Sequence, residues 1–188
     1  LPVVQFLTGA PKEQLSAAMA RHFLGDEAEL SVNAFLVNTG SKLVLIDTGL
    51  GTGMGSTPML QDNLRAAGYR PEQVDEIYIT HMHGDHIGGL AAGGKRVFPN
   101  AVLRIDKADT DYWLSDEAMK RAPQDAREGF ETARAMTAPY AAAWCSGVPK
   151  SGRHSFGFAP AARSVETIFV SLRRVARCST GTARIGGH

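Results

Sequence analysis

Between Thr80 and Leu90 the chain reads Thr-His-Met-His-Gly-Asp-His-Ile-Gly-Gly-Leu, and His81, His83, Asp85 and His86 fall within six residues of one another. Neutral imidazole and carboxylate are natural zinc ligands at about 2.0–2.2 Å, and a catalytic zinc keeps one position open for water. His81 and His83 are two residues apart, so in extended or tightly turned backbone they point the same way and can reach one ion. Asp85 and His86 follow a turn at Gly84 and are placed to serve a second. Two ions about 3.5–4 Å apart clamp a hydroxide and polarise the bond it attacks, which suits hydrolysis of esters, lactones, amides or phosphate esters. The bland alternative is a set of surface histidines without a ligand. Four ligand-type side chains this dense, at a strand end and followed by glycines, argue against it.

The flanking sequence supplies the elements that must position this loop. Val74–Thr80 is a strand that delivers the chain into it. Upstream, Val32–Thr39 and Lys42–Asp47 are apolar runs separated by Gly40-Ser41, a hairpin signal that predicts adjacent antiparallel strands. A loop with Gly49, Gly51, Gly53 and Gly55 lacks the Gly-Lys-Ser/Thr ending of a phosphate cradle and reads as an active-site rim. Leu60, Leu64 and Ala67 mark a helix closed by Gly68, and Ala101–Ile105 is a further strand. Helical stretches are expected at 106–114, 115–121 and 123–143. Near the start, Leu15, Met19, His22 and Phe23 have amphipathic helical spacing, with His22 an ordinary surface histidine. Strands and helices in this order predict an α/β architecture, a sheet with helices on its outer face.

His81-Met-His83-Gly-Asp85-His86 resembles the His-x-His-x-Asp-His signature of the metallo-β-lactamase superfamily. That resemblance implies an αββα sandwich, two zinc ions, His81 and His83 on the first ion, Asp85 and His86 on the second, and Asp85 as a catalytic group. Asp47, in Leu-Ile-Asp-Thr-Gly, is similar to a family turn whose aspartate supports the metal loop; a plain strand-end aspartate is the alternative. Ser31–Thr39, Val74–Thr80, Phe98–Val102 and Tyr112–Ser115 resemble the methyl parathion hydrolase branch, which implies phosphotriester, lactone or ester substrates. By the same resemblance Trp113 and Phe130 line an aromatic substrate pocket, against the simpler reading of both as helix core. The likeness covers about residues 10–143.

Beyond that point the sequence departs from the family. A complete member takes a third histidine, a bridging aspartate and a final histidine from its second half, and none is recognisable here. His154, Glu166 and His188 are the remaining candidates. Residues 144–188 hold Lys150 and six arginines against Glu166 alone, a net of +6, so the chain total of +1 leaves −5 for residues 1–143. Such a break is what a shifted reading of a GC-rich gene gives. The division expected is therefore a domain part at 1–143 and a basic tail at 144–188. Within the tail, Val165, Ile168, Phe169, Leu172, Val175 and Ala176 recur at helical spacing beside arginines, the pattern of a basic amphipathic helix. With a second half atypical or missing, Phe35, Val37, Val44 and Ile46 are expected to be poorly covered, which favours a homo-oligomer.

At 188 residues and 44% hydrophobic composition the chain fits one ordinary domain. No apolar run approaches the roughly 18 residues of a membrane span. Cys145 and Cys178 have no paired zinc spacing. The start, Leu-Pro-Val-Val without Met, is expected of a chain whose upstream segment was removed, a signal peptide included, so a secreted or periplasmic location stays open. Small-molecule esters, lactones or phosphotriesters are the expected partners, and nucleic acid is not. The competing expectation is a catalytically impaired metal-binding half-domain.

Overall fold

Residues 4, 7, 9–27, 31–51, 60–146, 166–171 and 175–177 are described by the structure, a computed structural model. The chain divides into two units, Leu1–Ser31 and Val32–His188. In the first, helix α1 (Lys12–Arg21) half-buries Leu15 and Met19. Phe23 does not extend that stripe as its spacing predicted. The helix ends before it, Phe23 turns to φ 59°, and its side chain is 99% exposed. His22 is exposed, as expected.

The second unit is built on one mixed sheet. Its strands are β1 (Asn33–Asn38), β2 (Leu43–Ile46), β3 (Glu76–Ile79), β6 (Val102–Ile105), β7 (Trp144–Ser146), β8 (Glu166–Ser171) and β9 (Val175–Arg177), and their order is β7-β6-β3-β2-β1-β8-β9. β4 (Ala91–Ala92) and β5 (Lys95–Arg96) form a separate small hairpin. The predicted hairpin is present: β1 and β2 are antiparallel, with Phe35 opposite Ile46 and Val37 opposite Val44. β2, β3, β6 and β7 run parallel, so the ends of β2, β3 and β6 open toward the same rim. In open α/β sheets that rim is where ligands bind.

Alternation of side chains along each strand assigns the two faces. Leu36, Leu45, Ile77 and Leu103 lie side by side across four strands, all fully buried. They pack with Leu60 and Leu64 of α2 (Leu60–Ala66), and with Ala133 of α6 (Arg127–Thr137) and Tyr140. Burying each such Leu or Ile contributes about 1.5–3 kcal/mol, so this face holds the helices in place. Tyr140 closes the core at a polar point: its hydroxyl donates to Leu90 O at 3.0 Å and accepts from Phe98 N at 3.2 Å. Burial pushes its ionisation up to about 12, so it stays a donor.

The opposite face carries Phe35, Val37, Val44, Ile46, Glu76, Tyr78, Val102 and Arg104. The expected exposure there is corrected in part, because Val37 and Val44 are 8% and 6% exposed while Phe35 and Ile46 are half-buried. A second correction concerns 165–176, where the helical spacing does not produce a helix. β8 pairs antiparallel with β1, Phe169 opposite Phe35, and β9 pairs with β8. Thr, Ile and Val in Glu166–Ser171 favour strands, and the open edge of β1 offers hydrogen bonds that an isolated helix cannot match. The sheet thus runs across the compositional break at 143. Among the described residues, no helix is long and apolar enough to cross a membrane.

Candidate metal centre

β3 ends at Ile79, and the next residues step over the rim of the sheet. Met82 is fully buried while His81 is half-buried and His83 exposed, so the alternation that puts both histidines on the open side is realised. A short helix, α3 (Gly84–Ile87), stands where the sequence predicts a turn at Gly84, and it brings Asp85 and His86 back toward His81. Ligand-type atoms of His81, Asp85 and His86 lie within 4.8 Å of one another. His86 Nε2 and Asp85 Oδ2 are 3.4 Å apart, about the edge of a tetrahedron with 2.1 Å bonds. The His81 and His86 rings are 3.9 Å apart, and the His83 ring is 4.7 Å from that of His81. His83 is a neighbour of the three-residue cluster but not part of it, so the grouping crosses the pairing that the resemblance implies.

Asp47 sits just past β2, 5% exposed, in the left-handed conformation at φ 57°. Its Oδ2 accepts from His86 Nδ1 at 2.8 Å and from the Thr80 hydroxyl at 2.7 Å, and its Oδ1 accepts from Thr80 N at 2.8 Å. With Nδ1–H donated to Asp47, the free lone pair of neutral His86 is on Nε2, the atom facing Asp85. His81 is held toward its neutral form: burial lowers its pKa below the ordinary 6.5, and the nearby His86 and His83 lower it further. Neutral imidazoles beside a carboxylate are the donor set that zinc takes, so these residues fit the metal.

The glycines of the predicted rim and of the metal loop let two backbones meet. Thr48 N and its hydroxyl both donate to His86 O, at 2.7 and 2.8 Å, drawing the two loops together. A Cβ at Gly51 would meet Gly88 O at 2.0 Å, one at Gly88 would meet Leu50 O at 2.4 Å, and one at Gly89 would meet Thr48 O at 2.2 Å. Backbone packs on backbone here, and any side chain would part the Asp47 loop from the metal loop.

Trp113 ends α4 (Lys107–Trp113), half-buried, with its ring edge-on to His83 at 5.4 Å. The two aromatic residues suggested by resemblance therefore separate. Phe130, on α6, is fully buried against Trp113, Ala118 and Ala122, with ring centroids 4.9 Å from Trp113. It packs behind Trp113 and presents no surface to a ligand, because α5 (Asp116–Arg121) and Ala122 cover it. Sequence reading missed Gly129, where a Cβ would stand 3.0 Å from the Trp113 ring. It also missed the reach of Thr80. His154 and His188 lie outside the described residues, as does the side chain of Glu166.

Comparison with known proteins agrees with the fold. Over 126 residues the chain is 31% identical to the Beta-lactamase-like protein 2 homolog of Caenorhabditis elegans, 65% of this chain and 40% of that one. A 64-residue stretch is 39% identical to Ribonuclease Z of Pyrococcus furiosus, 34% of this chain and 18% of that one. Among solved structures, the hydrolase AbOPH of the beta-lactamase superfamily superposes with a TM-score of 0.66 at 32% identity, covering 74% of this chain and 51% of that one. AidC, a dizinc quorum-quenching lactonase, gives 0.63 at 25% identity, covering 76% and 52%. The chain thus spans about half the length of these relatives or less. The family described as the Metallo-beta-lactamase superfamily matches residues 28–149, most of the chain and all of the metal loop, and the protein belongs to that superfamily.

Proposed function

We propose that this chain is the metal-binding part of a zinc-dependent hydrolase acting on small lactones, esters or phosphotriesters. The observation that carries the reading is the convergence of His81, Asp85 and His86 with Asp47 orienting His86 from behind. His83 stands next to this cluster, its ring centroid 4.7 Å from that of His81. Zinc held there would lower the pKa of a water to about neutrality and act as a Lewis acid. Asp85, 45% exposed in its side chain, is the carboxylate positioned to accept a hydrogen bond from that water and aim it. Trp113 offers a flat apolar wall beside His83, suited to an acyl chain or aryl leaving group, with Phe130 as its backing. The likeness to AidC, a lactonase, supports a lactone substrate, and that to AbOPH supports hydrolysis; the short match to Ribonuclease Z runs against the expectation that nucleic acid is no partner.

The test is turnover by the zinc-loaded full chain on a lactone, an aryl ester and an aryl phosphotriester, with bound zinc counted in the same samples. Hydrolysis that disappears in His81→Ala and Asp85→Asn supports the reading. Zinc bound without turnover on any substrate favours a metal-binding half-domain that lacks chemistry. That second reading has its own support, since the cluster offers three ligands among the described residues.

A further inference from the structure

The Thr80 hydroxyl meets three polar atoms of the centre at once. It is 2.7 Å from Asp47 Oδ2, 3.2 Å from His81 Nδ1 and 3.3 Å from His86 Nδ1. A hydroxyl has one proton and two lone pairs, and an ionised carboxylate only accepts. The shortest contact therefore takes the proton: Thr80 donates to Asp47. What remains on Oγ1 is acceptor capacity, and His81 Nδ1 can bond to it only by donating. His86 Nδ1 already donates to Asp47 at 2.8 Å. This proton order leaves Nε2 unprotonated on both rings.

Resting on the metal-site reading above, we infer that Thr80 is a positioning residue that relays the Asp47 carboxylate to His81 and fixes His81 with its Nε2 lone pair toward the metal. A single carboxylate then orients two histidines, one directly and one through a hydroxyl. Thr80 is itself held for this task, since its backbone N–H donates to Asp47 Oδ1 at 2.8 Å. Without the hydroxyl, His81 keeps its place but loses the partner that decides which nitrogen carries the proton. Binding zinc then requires tautomer exchange first, which weakens it.

Thr80→Val keeps the shape and the backbone bond but removes the hydroxyl, whereas Thr80→Ser restores it. In the metal-free, nitrogen-15-labelled full chain at about pH 8, above the ordinary histidine range, long-range proton–nitrogen correlations read the tautomer of each ring. His81 resonances are assigned by their loss in His81→Gln. The expected result is Nδ1–H at His81 in wild type and Thr80→Ser, and a shift toward Nε2–H in Thr80→Val. Zinc affinity, measured by competition with a chromophoric chelator, should fall about 10–100-fold in Thr80→Val and stay near wild type in Thr80→Ser. Wild-type His81 carrying its proton on Nε2 overturns the inference even if Thr80→Val does not fold. So does a Thr80→Val protein with unchanged tautomer and affinity, which would mean that water replaces the hydroxyl. A wild type that takes up no zinc removes the proposed function, while the tautomer still decides the role of Thr80.

Discussion

Asp47 combines a backbone conformation and a carboxylate that few residues could supply together. At φ 57° a residue with a Cβ is disfavoured by about 1–2 kcal/mol, and Asp and Asn tolerate that region best. Asp47→Asn therefore spares the backbone and tests the charge. It replaces one acceptor oxygen by a donor, so one of the three groups now donating to the carboxylate, Thr80 N, the Thr80 hydroxyl or His86 Nδ1, faces a second donor. Zinc affinity should drop about 10–100-fold with little change in melting temperature. Calorimetric titration with zinc checks this, and an unchanged affinity would show that His86 is oriented without Asp47.

At the scale of elements, two contacts set what the site can hold and how firmly the sheet supports it. Gly129 lets α6 approach α4 until its backbone faces the Trp113 indole. In Gly129→Ala the new methyl must push the ring away, because a Cβ 3.0 Å from it has no free space. KM should rise several-fold for substrates with a bulky apolar group, with zinc affinity unchanged; a parallel fall in zinc binding would place Trp113 in the metal site itself. The second contact is Glu76 on β3, which pairs with Lys42 and, at 2.7 Å, with Arg104 Nε, while Tyr78 donates to it at 2.9 Å. The bond from Arg104, with help from Lys42 and Tyr78, lowers its pKa from 4.5 to about 2 despite burial. Because the folded-state value is depressed, this stabilisation is whole above about pH 4.5 and is lost as pH falls toward about 2. It is on the order of 3 kcal/mol. Urea unfolding across that window should show the decline, and Glu76→Gln should flatten it while costing stability at neutral pH.

For the whole molecule, the segment after 143 decides how much of a domain this chain makes. β8 lies between β1 and β9, so its amides should exchange slowly, with protection like that of β1. Hydrogen exchange at random-coil rates through 166–171 would mean that the tail is not part of the sheet, as its composition suggested. Metal content tests completeness separately: with three clustered ligands among the described residues, fewer than two zinc ions per chain and easy loss to a chelator are expected. The metal loop was legible in the sequence because its ligand-type residues are local, and a strand end and one turn of helix suffice to bring His81, Asp85 and His86 together. The β1–β2 hairpin and the α2 helix were legible for the same reason, as their apolar spacing and turn residues are short-range signals. What the tertiary structure decided depends on which distant backbones meet. Asp47 reaches His86 across 39 residues, Gly129 makes room for Trp113, Phe130 is sealed behind it, and 166–171 becomes a strand because β1 offers an edge. Periodicity records which side of an element is apolar, but the partner that covers that side is chosen only when the chain packs.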